Sequence, residues 1–137
     1  MAQTTNDPDV IADQAGALFL RAGIEAQFGY FNDAIEHYLR AIELGNELTA
    51  KYPNDARYLD ILAMRYKDLA VAYSQVQFSS EQIRDVNSKA LALHRRLVAE
   101  HGDVTEYHRN LARLLHNMAG TGTGTERRSD TGSPRRI

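Results

Sequence analysis

The sequence predicts an all-α fold of about five antiparallel helices stacked as repeated pairs. Three observations carry that reading. Residues 41–70, AIELGNELTAKYPNDARYLDILAMRYKDLA, align without a gap on residues 90–119, ALALHRRLVAEHGDVTEYHRNLARLLHNMA, at an offset of 49. Ala41, Leu44, Leu48, Tyr58, Leu62 and Ala70 recur as Ala90, Leu93, Leu97, Tyr107, Leu111 and Ala119. Within each half the matches lie three, four or seven apart, so what repeats is the buried face of a helix–turn–helix. Apolar residues keep a helical period elsewhere too, and the alternating runs that mark strands are absent. Glycine and proline punctuate the stretches between helices, at Gly29, Pro53 and Gly102.

Asp7-Pro8 marks the first helix start: Asp caps free amide groups, and Pro at the first helical position gives up no bond. Residues 1–7 are polar and expected to be flexible. The helix runs to about Phe28 with Ile11, Ala15, Leu18, Phe19, Ala22 and Ala26 along one face, and Gly29 is placed to end it. The second helix begins near Asn32 and turns Ala34, Ile35, Tyr38, Ala41, Ile42 and Leu48 inward. Gly45 lies inside it, at a cost of about 1 kcal/mol against Ala. His94 stands there in the second copy, which implies that the fold does not require glycine at this place.

Tyr52-Pro53-Asn54-Asp55 ends the second helix and opens the third, because Pro cannot continue a helix and Asn or Asp caps the next. The third helix turns Tyr58, Leu62, Ala63, Tyr66, Leu69, Ala70 and Tyr73 inward. Ser79, with Gln82 three residues later, reads as a capping box for the fourth helix, whose inner side carries Val86, Ala90, Leu93 and Leu97. His101-Gly102-Asp103 repeats the stop and start, with Asp103 and Glu106 as another capping box. The fifth helix runs to about Ala119, with Tyr107, Leu111, Leu114, Leu115 and Met118 on one stripe and a polar opposite side that includes His108, Asn110 and Arg113. By the repeat, Ala63 and Ala112 are expected at close helix crossings. Residues 120–137, GTGTGTERRSDTGSPRRI, have nothing with which to build a core and read as a disordered basic tail. One helical domain over 8–119 remains.

Composition narrows the function. The chain has 137 residues, 43% hydrophobic and 25% charged, as in an ordinary globular domain. Its net charge is −2, and the tail's four Arg against Glu126 and Asp130 leave the remainder at −4, which gives no reason to expect nucleic acid as a partner. The absence of Cys excludes disulfides, thiolate metal sites and a cysteine nucleophile. No basic and apolar leader and no apolar run of the roughly 20 residues that span a bilayer is visible, so a cytoplasmic location without membrane contact is expected.

No constellation points to catalysis, a metal or a cofactor. His94, His101 and His108 are seven apart, about 10.5 Å of rise where both lie in one helix, too far for one ion. They are expected at the surface or in turns. Asp60 and Asp68, like Glu43 and Glu47, are expected on solvated helix faces, with no raised pKa. The tyrosines at packing positions read as core. GTGTGT lacks the preceding strand and the following Lys and helix of a phosphate loop.

Helix pairs at this spacing resemble tetratricopeptide repeats. The third helix carries the family's pattern as Tyr66, Leu69, Ala70 and Tyr73, and the second helix carries Ala34, Tyr38 and Ala41. The long unit resembles a variant of bacterial arrays often joined to serine/threonine kinases, although no Gly-rich loop, HRD or DFG motif occurs here. A Gly-Tyr, Ala, Tyr, Ala second helix is also similar to the three-helix microtubule-interacting-and-transport module, which would account for helices one to three only.

The repeat resemblance implies about two and a half units in a right-handed superhelical stack. It also implies a concave face, lined by the first helix of each pair, that takes an extended peptide or a partner helix. It assigns Leu20, Arg21 and Ile24 to that face, with Lys67, Val71, Ser74 and Gln75 from the third helix and Arg113, His116 and Asn117 from the fifth. One subclass of the family clamps a C-terminal carboxylate with Lys, Asn and Arg; Lys67 and Arg113 match, and Val71 stands where the Asn would be. The fifth helix, with Leu115 and Met118 as anchors, is expected to dock a second copy or an amphipathic helix, and Lys67 and Arg113 to favour acidic partners. The function expected is a protein-interaction scaffold without enzymatic activity. Its alternatives are a fragment of a kinase-linked array and a nucleic-acid binder acting through the Arg tail. Because the tail has no core to join, deleting residues 121–137 should leave helical circular dichroism and melting temperature nearly unchanged.

Overall fold

The computed structural model describes residues 7–76 and 79–120. The expected N-terminal arm and basic tail lie outside the described residues, apart from Asp7 and Gly120. Five α-helices follow one another: α1 (Pro8–Gln27), α2 (Phe31–Lys51), α3 (Ala56–Gln75), α4 (Ser80–Glu100) and α5 (Thr105–Gly120). There is no strand among the described residues. The fold is all-α, and each helix packs on the next in chain order.

The helix ends follow local chemistry. The Asp7 carboxylate accepts from the Asp9 amide at 2.9 Å, with Pro8 at the first helical position. α1 stops at Gly29, whose φ of 86° only glycine adopts without strain. There the Gly29 amide reaches the Ala26 carbonyl and the Tyr30 amide reaches the Glu25 carbonyl, the paired bonds of a Schellman stop. The Asp55 carboxylate caps α3 from the Arg57 amide at 3.0 Å, and the Ser79 hydroxyl caps α4 from the Gln82 amide at 3.1 Å.

The 49-residue repeat recurs in the backbone. Between α2 and α3, the amides of Tyr52, Asp55 and Tyr58 donate to the carbonyls of Leu48, Tyr52 and Asp55. Between α4 and α5, the amides of His101, Val104 and Tyr107 donate to those of Leu97, His101 and Val104, the same three bonds at the same offset. Even the ring contact repeats, Tyr52 to Tyr58 at 6.0 Å and His101 to Tyr107 at 6.1 Å. This register corrects the second capping box. α5 starts at Thr105, so Val104 holds the place of Asp55, and Asp103 lies one residue earlier.

Two apolar clusters hold the stack. One joins Ile11 and Ala15 of α1 to Leu44 and Leu48 of α2; the other gathers Tyr38 and Ile42 of α2, Leu62, Leu69 and Tyr73 of α3, and Val86 of α4. Beyond them Ala90, Leu97 and Leu114 are buried between α4 and α5. Each fully buried Leu stabilises by roughly 1.5–3 kcal/mol, so these stripes, rather than helix propensity, fix the pairing.

Two expectations need correction, at Ala112 and on the polar side of α5. Gly45 is closely fitted: a Cβ there would sit 3.0 Å from Leu62 Cδ1 and 3.6 Å from Arg65 Nη1, so Leu62 would have to give by a few tenths of an ångström inside the α2–α3 crossing. His94, its repeat counterpart, is 1% exposed, and Leu114, the counterpart of Arg65, is 0% exposed. The first crossing thus combines no side chain with a long one, and the second combines a ring with a shorter aliphatic chain. Ala63 is fully buried as expected, but Ala112 is exposed, because α5 has α4 on one flank and no equivalent helix on the other among the described residues. The polar side of α5 is not wholly solvated, since Asn110 is buried.

The two crossings make a coupled prediction. Gly45→His should overpack the first crossing and cost roughly 1–3 kcal/mol. Adding Arg65→Leu reproduces the second crossing's pairing and should recover at least about 1 kcal/mol as coupling, read by urea unfolding of both singles and the double variant. Additive losses would mean that the two side chains do not share one space.

Candidate functional site

The residues expected to bind a partner fall on two faces. Arg21 is exposed and pairs with Glu25 on its own helix at 3.2 Å. Glu25 in turn meets His37 Nδ1 of α2 at 2.8 Å, so Arg21 is drawn to the α1–α2 side. Partial burial works to raise the Glu25 carboxyl, but its bonds to His37 and Arg21 outweigh that and hold it below the usual carboxylate range. Leu20 and Ile24 of α1 are exposed, as is Val71 of α3.

α3 and α5 are joined side by side. Asn110 Nδ2 donates to Asp60 Oδ1 at 3.1 Å, and Arg113 Nη1 donates to Asn110 Oδ1 at 3.1 Å. This relay positions Arg113 on the side of α5 that meets α3, where Lys67 and Val71 lie on the neighbouring helix. Leu115 is two residues further on, roughly 200° around the helix, so it faces away from that side. Leu115 and His116 are exposed, whereas Asn117 and Met118 turn partly inward. The expected anchor Leu115 therefore does not share a surface with Arg113, and Leu114 of the same stripe is fully buried.

The interior holds more charge and polarity than the pattern suggested. His94 is buried rather than at the surface, with both ring nitrogens lacking a hydrogen-bond partner. Burial, reinforced by the nearby Lys67 charge, lowers its pKa to about 4. Arg65 is buried with Nε unpartnered, and its guanidinium lies 5.3 Å over the Phe19 ring, a cation–π contact that joins α3 to α1. Asp60 and Asp68 are not on solvated faces. Burial raises both carboxyls, against the Asn110 bond at Asp60 and the Lys67 charge near Asp68. These groups escaped the sequence reading because their neighbours on the helix are charged, so the local pattern resembles a solvated face.

A second feature was missed altogether. α2 and α4 flank α3 without packing on each other, and a cleft of about 700 Å³ opens between them. Leu39 and Ile42 of α2, Tyr66, Leu69 and Tyr73 of α3, and Val86 of α4 give it an apolar lining. It continues past Asn46, Tyr66 and Lys89 into a smaller cleft beside Leu59, Leu93 and Arg96. Its rims are self-neutralised by Arg40–Glu43 at 2.9 Å and Lys89–Asp85 at 3.5 Å. The only sequence signal was that two second helices of adjacent pairs cannot both cover α3.

No helix is long and apolar enough to cross a membrane among the described residues. Comparison with protein families, with curated proteins and with solved structures finds no match for the chain.

The buried titratable groups predict opposed pH effects. His94 binds its proton near pH 6.5 when unfolded but only near 4 when folded, so its contribution is complete above 6.5 and is lost as pH falls to 4. That loss amounts to roughly 3 kcal/mol at most. His94→Leu should flatten the decline between those limits in urea unfolding at stepped pH. Asp68 has a raised folded pKa and works in the other direction: Asp68→Asn should stabilise at neutral pH, with a gain that shrinks as acid protonates the wild-type carboxyl.

Proposed function

We propose that the protein is a non-enzymatic interaction module of tetratricopeptide-like design, which binds an acidic amphipathic peptide or helix across the exposed side of α3 and α5. What supports this is the Asp60–Asn110–Arg113 relay, which draws Arg113 to the side of α5 that meets α3, the helix that bears Lys67 and Val71. Val71 is 46% exposed in the middle of α3 and offers an apolar contact on that side. Lys67, Arg113 and His116 give this side of the two helices positive or titratable groups, and burial raises the Asp60 and Asp68 carboxyls. An extended acidic peptide would lay apolar side chains on Val71 and set carboxylates against Lys67 and Arg113. Without an Asn at position 71, a full carboxylate clamp is not part of this reading.

Two labelled peptides with the same apolar stripe, one acidic and one basic on the polar side, test it by fluorescence anisotropy. The acidic peptide should bind at least about tenfold more tightly at low salt, and the preference should fade as salt rises. Lys67→Glu with Arg113→Glu should reverse the preference while leaving the circular dichroism spectrum intact. Equal binding of both peptides, or none, would count against the proposal.

A further inference from the structure

α5 stands apart from the rest of the interior. Neither of the two apolar clusters that hold the stack contains one of its residues; their buried members come from α1, α2, α3 and α4. Two side chains of α5 are buried, Leu114 and Asn110. Leu114 is covered with Ala90 and Leu97 where α5 meets α4, and Asn110 Nδ2 donates to Asp60 Oδ1 of α3 at 3.1 Å. A helix docked through so few buried groups can open without opening either cluster, and stability in folded chains is divided into such units.

The α4 side of that contact holds His94. By the 49-residue offset His94 corresponds to Gly45, and the side chains that meet Gly45, Leu62 and Arg65, correspond to Leu111 and Leu114 of α5. α5 therefore covers the His94 ring, which is 1% exposed with neither nitrogen hydrogen-bonded. A neutral imidazole is tolerated there. An imidazolium is not: both nitrogens would carry donors with no acceptor, and a buried charge is costly unless it is paired. Lys67 of α3 adds a like charge, and the two α5 places over the ring are leucines, so neither neighbouring helix compensates the proton there.

We propose that α5 is a proton-released helix: protonation of His94 is accommodated by the departure of α5 from α4, while α1, α2 and α3 stay packed. The device does not rest on the peptide reading, although it acts on the same site, since Arg113 leaves with α5. Its sign follows from linkage. With α5 docked, burial and the Lys67 charge let the ring take a proton only near pH 4, whereas an uncovered ring takes one near 6.5. Docking is therefore complete above 6.5 and weakens by up to about tenfold per pH unit between those limits. Asp60 works against this. Burial raises its carboxyl, the Asn110 bond lowers it and the Glu106 charge of α5 raises it further, so protonating Asp60 favours the docked state. The Asn110 bond restrains that rise, while no bond restrains the fall at His94, so His94 sets the direction.

Hydrogen exchange of the full chain, read by mass spectrometry of peptic fragments and corrected for the intrinsic pH dependence of exchange, tests this from pH 7 to 5. Fragments of α5 should lose protection by at least about tenfold over that range, and fragments of α1, α2 and α3 should keep theirs. In His94→Leu, whose side chain cannot charge, α5 protection should stay level. Level protection of α5 in the wild type, equal loss from all five helices, or a fall that persists in His94→Leu would each overturn the proposal.

Should circular dichroism show His94→Leu unfolded, the wild-type ring decides the matter by proton NMR. Its titration should track the loss of α5 protection, and titration of His94 while α5 is still fully protected would overturn the proposal. No peptide is present in these measurements. Failure of the acidic peptide to bind at pH 7 would therefore sink the peptide reading alone, and peptide preference with level α5 protection would sink proton release alone.

Discussion

The close crossing of α2 over α3 at Gly45 is the constraint on which the rest of the stack depends. With no side chain there, Leu62 and Arg65 approach the α2 backbone, and α3 settles deep enough to touch α1 as well. That contact, the Arg65 guanidinium over Phe19, makes α1, α2 and α3 one packed unit rather than a chain of pairs. α3 packs on both α2 and α4, and Leu62, Leu69 and Tyr73 in the larger core cluster all come from it.

The second crossing reaches the same geometry with different volumes. His94 fills the place that Gly45 leaves empty, and Leu114 replaces the longer Arg65. Interiors are packed to near crystal density, so a residue gained on one helix must be matched by one lost on the other. Each solution buries a polar group without a full set of partners: Arg65 Nε at the first crossing and both ring nitrogens of His94 at the second. An unsatisfied buried donor or acceptor costs roughly 1–3 kcal/mol. Arg65 is partly compensated by Phe19, and His94 stays neutral instead. Neither group is explained by the apolar stripes, which alone would favour aliphatic residues at both places.

Most of the architecture was legible in the sequence because it depends on period and punctuation. The gapless alignment of 41–70 on 90–119 anticipated the repeated turn bonds, and Asp7-Pro8, Gly29, Asp55 and Ser79 marked helix ends that the structure keeps. What escaped depended on which helix lies next to which. Asp60 and Asn110 look solvated along their own helices and are covered where α5 meets α3, while Asp68 is covered on another side, where its charge reaches Tyr38 of α2. Ala112 matches Ala63 in sequence but not in burial, since equal residues are equally buried only if equal neighbours are present. Asp103 fails as a cap for a similar reason: the repeat assigns the cap position to Val104, and spacing to Glu106 alone could not see that register.

The same dependence on neighbours separates the candidate surfaces. Arg113 and Leu115 are two residues apart, yet a helix turns them to opposite flanks, so one belongs with α3 and the other with whatever lies beyond α5. A helix repeat buries each unit on the next, and its outermost helices keep one face that the internal ones lose. Such faces are usually made polar. Here α1 instead turns Leu20 and Ile24 to solvent, and α5 turns Ala112 and Leu115. The α3–α5 side, which bears Lys67, Val71 and Arg113, is a surface distinct from the outer flank of α5 that carries Leu115.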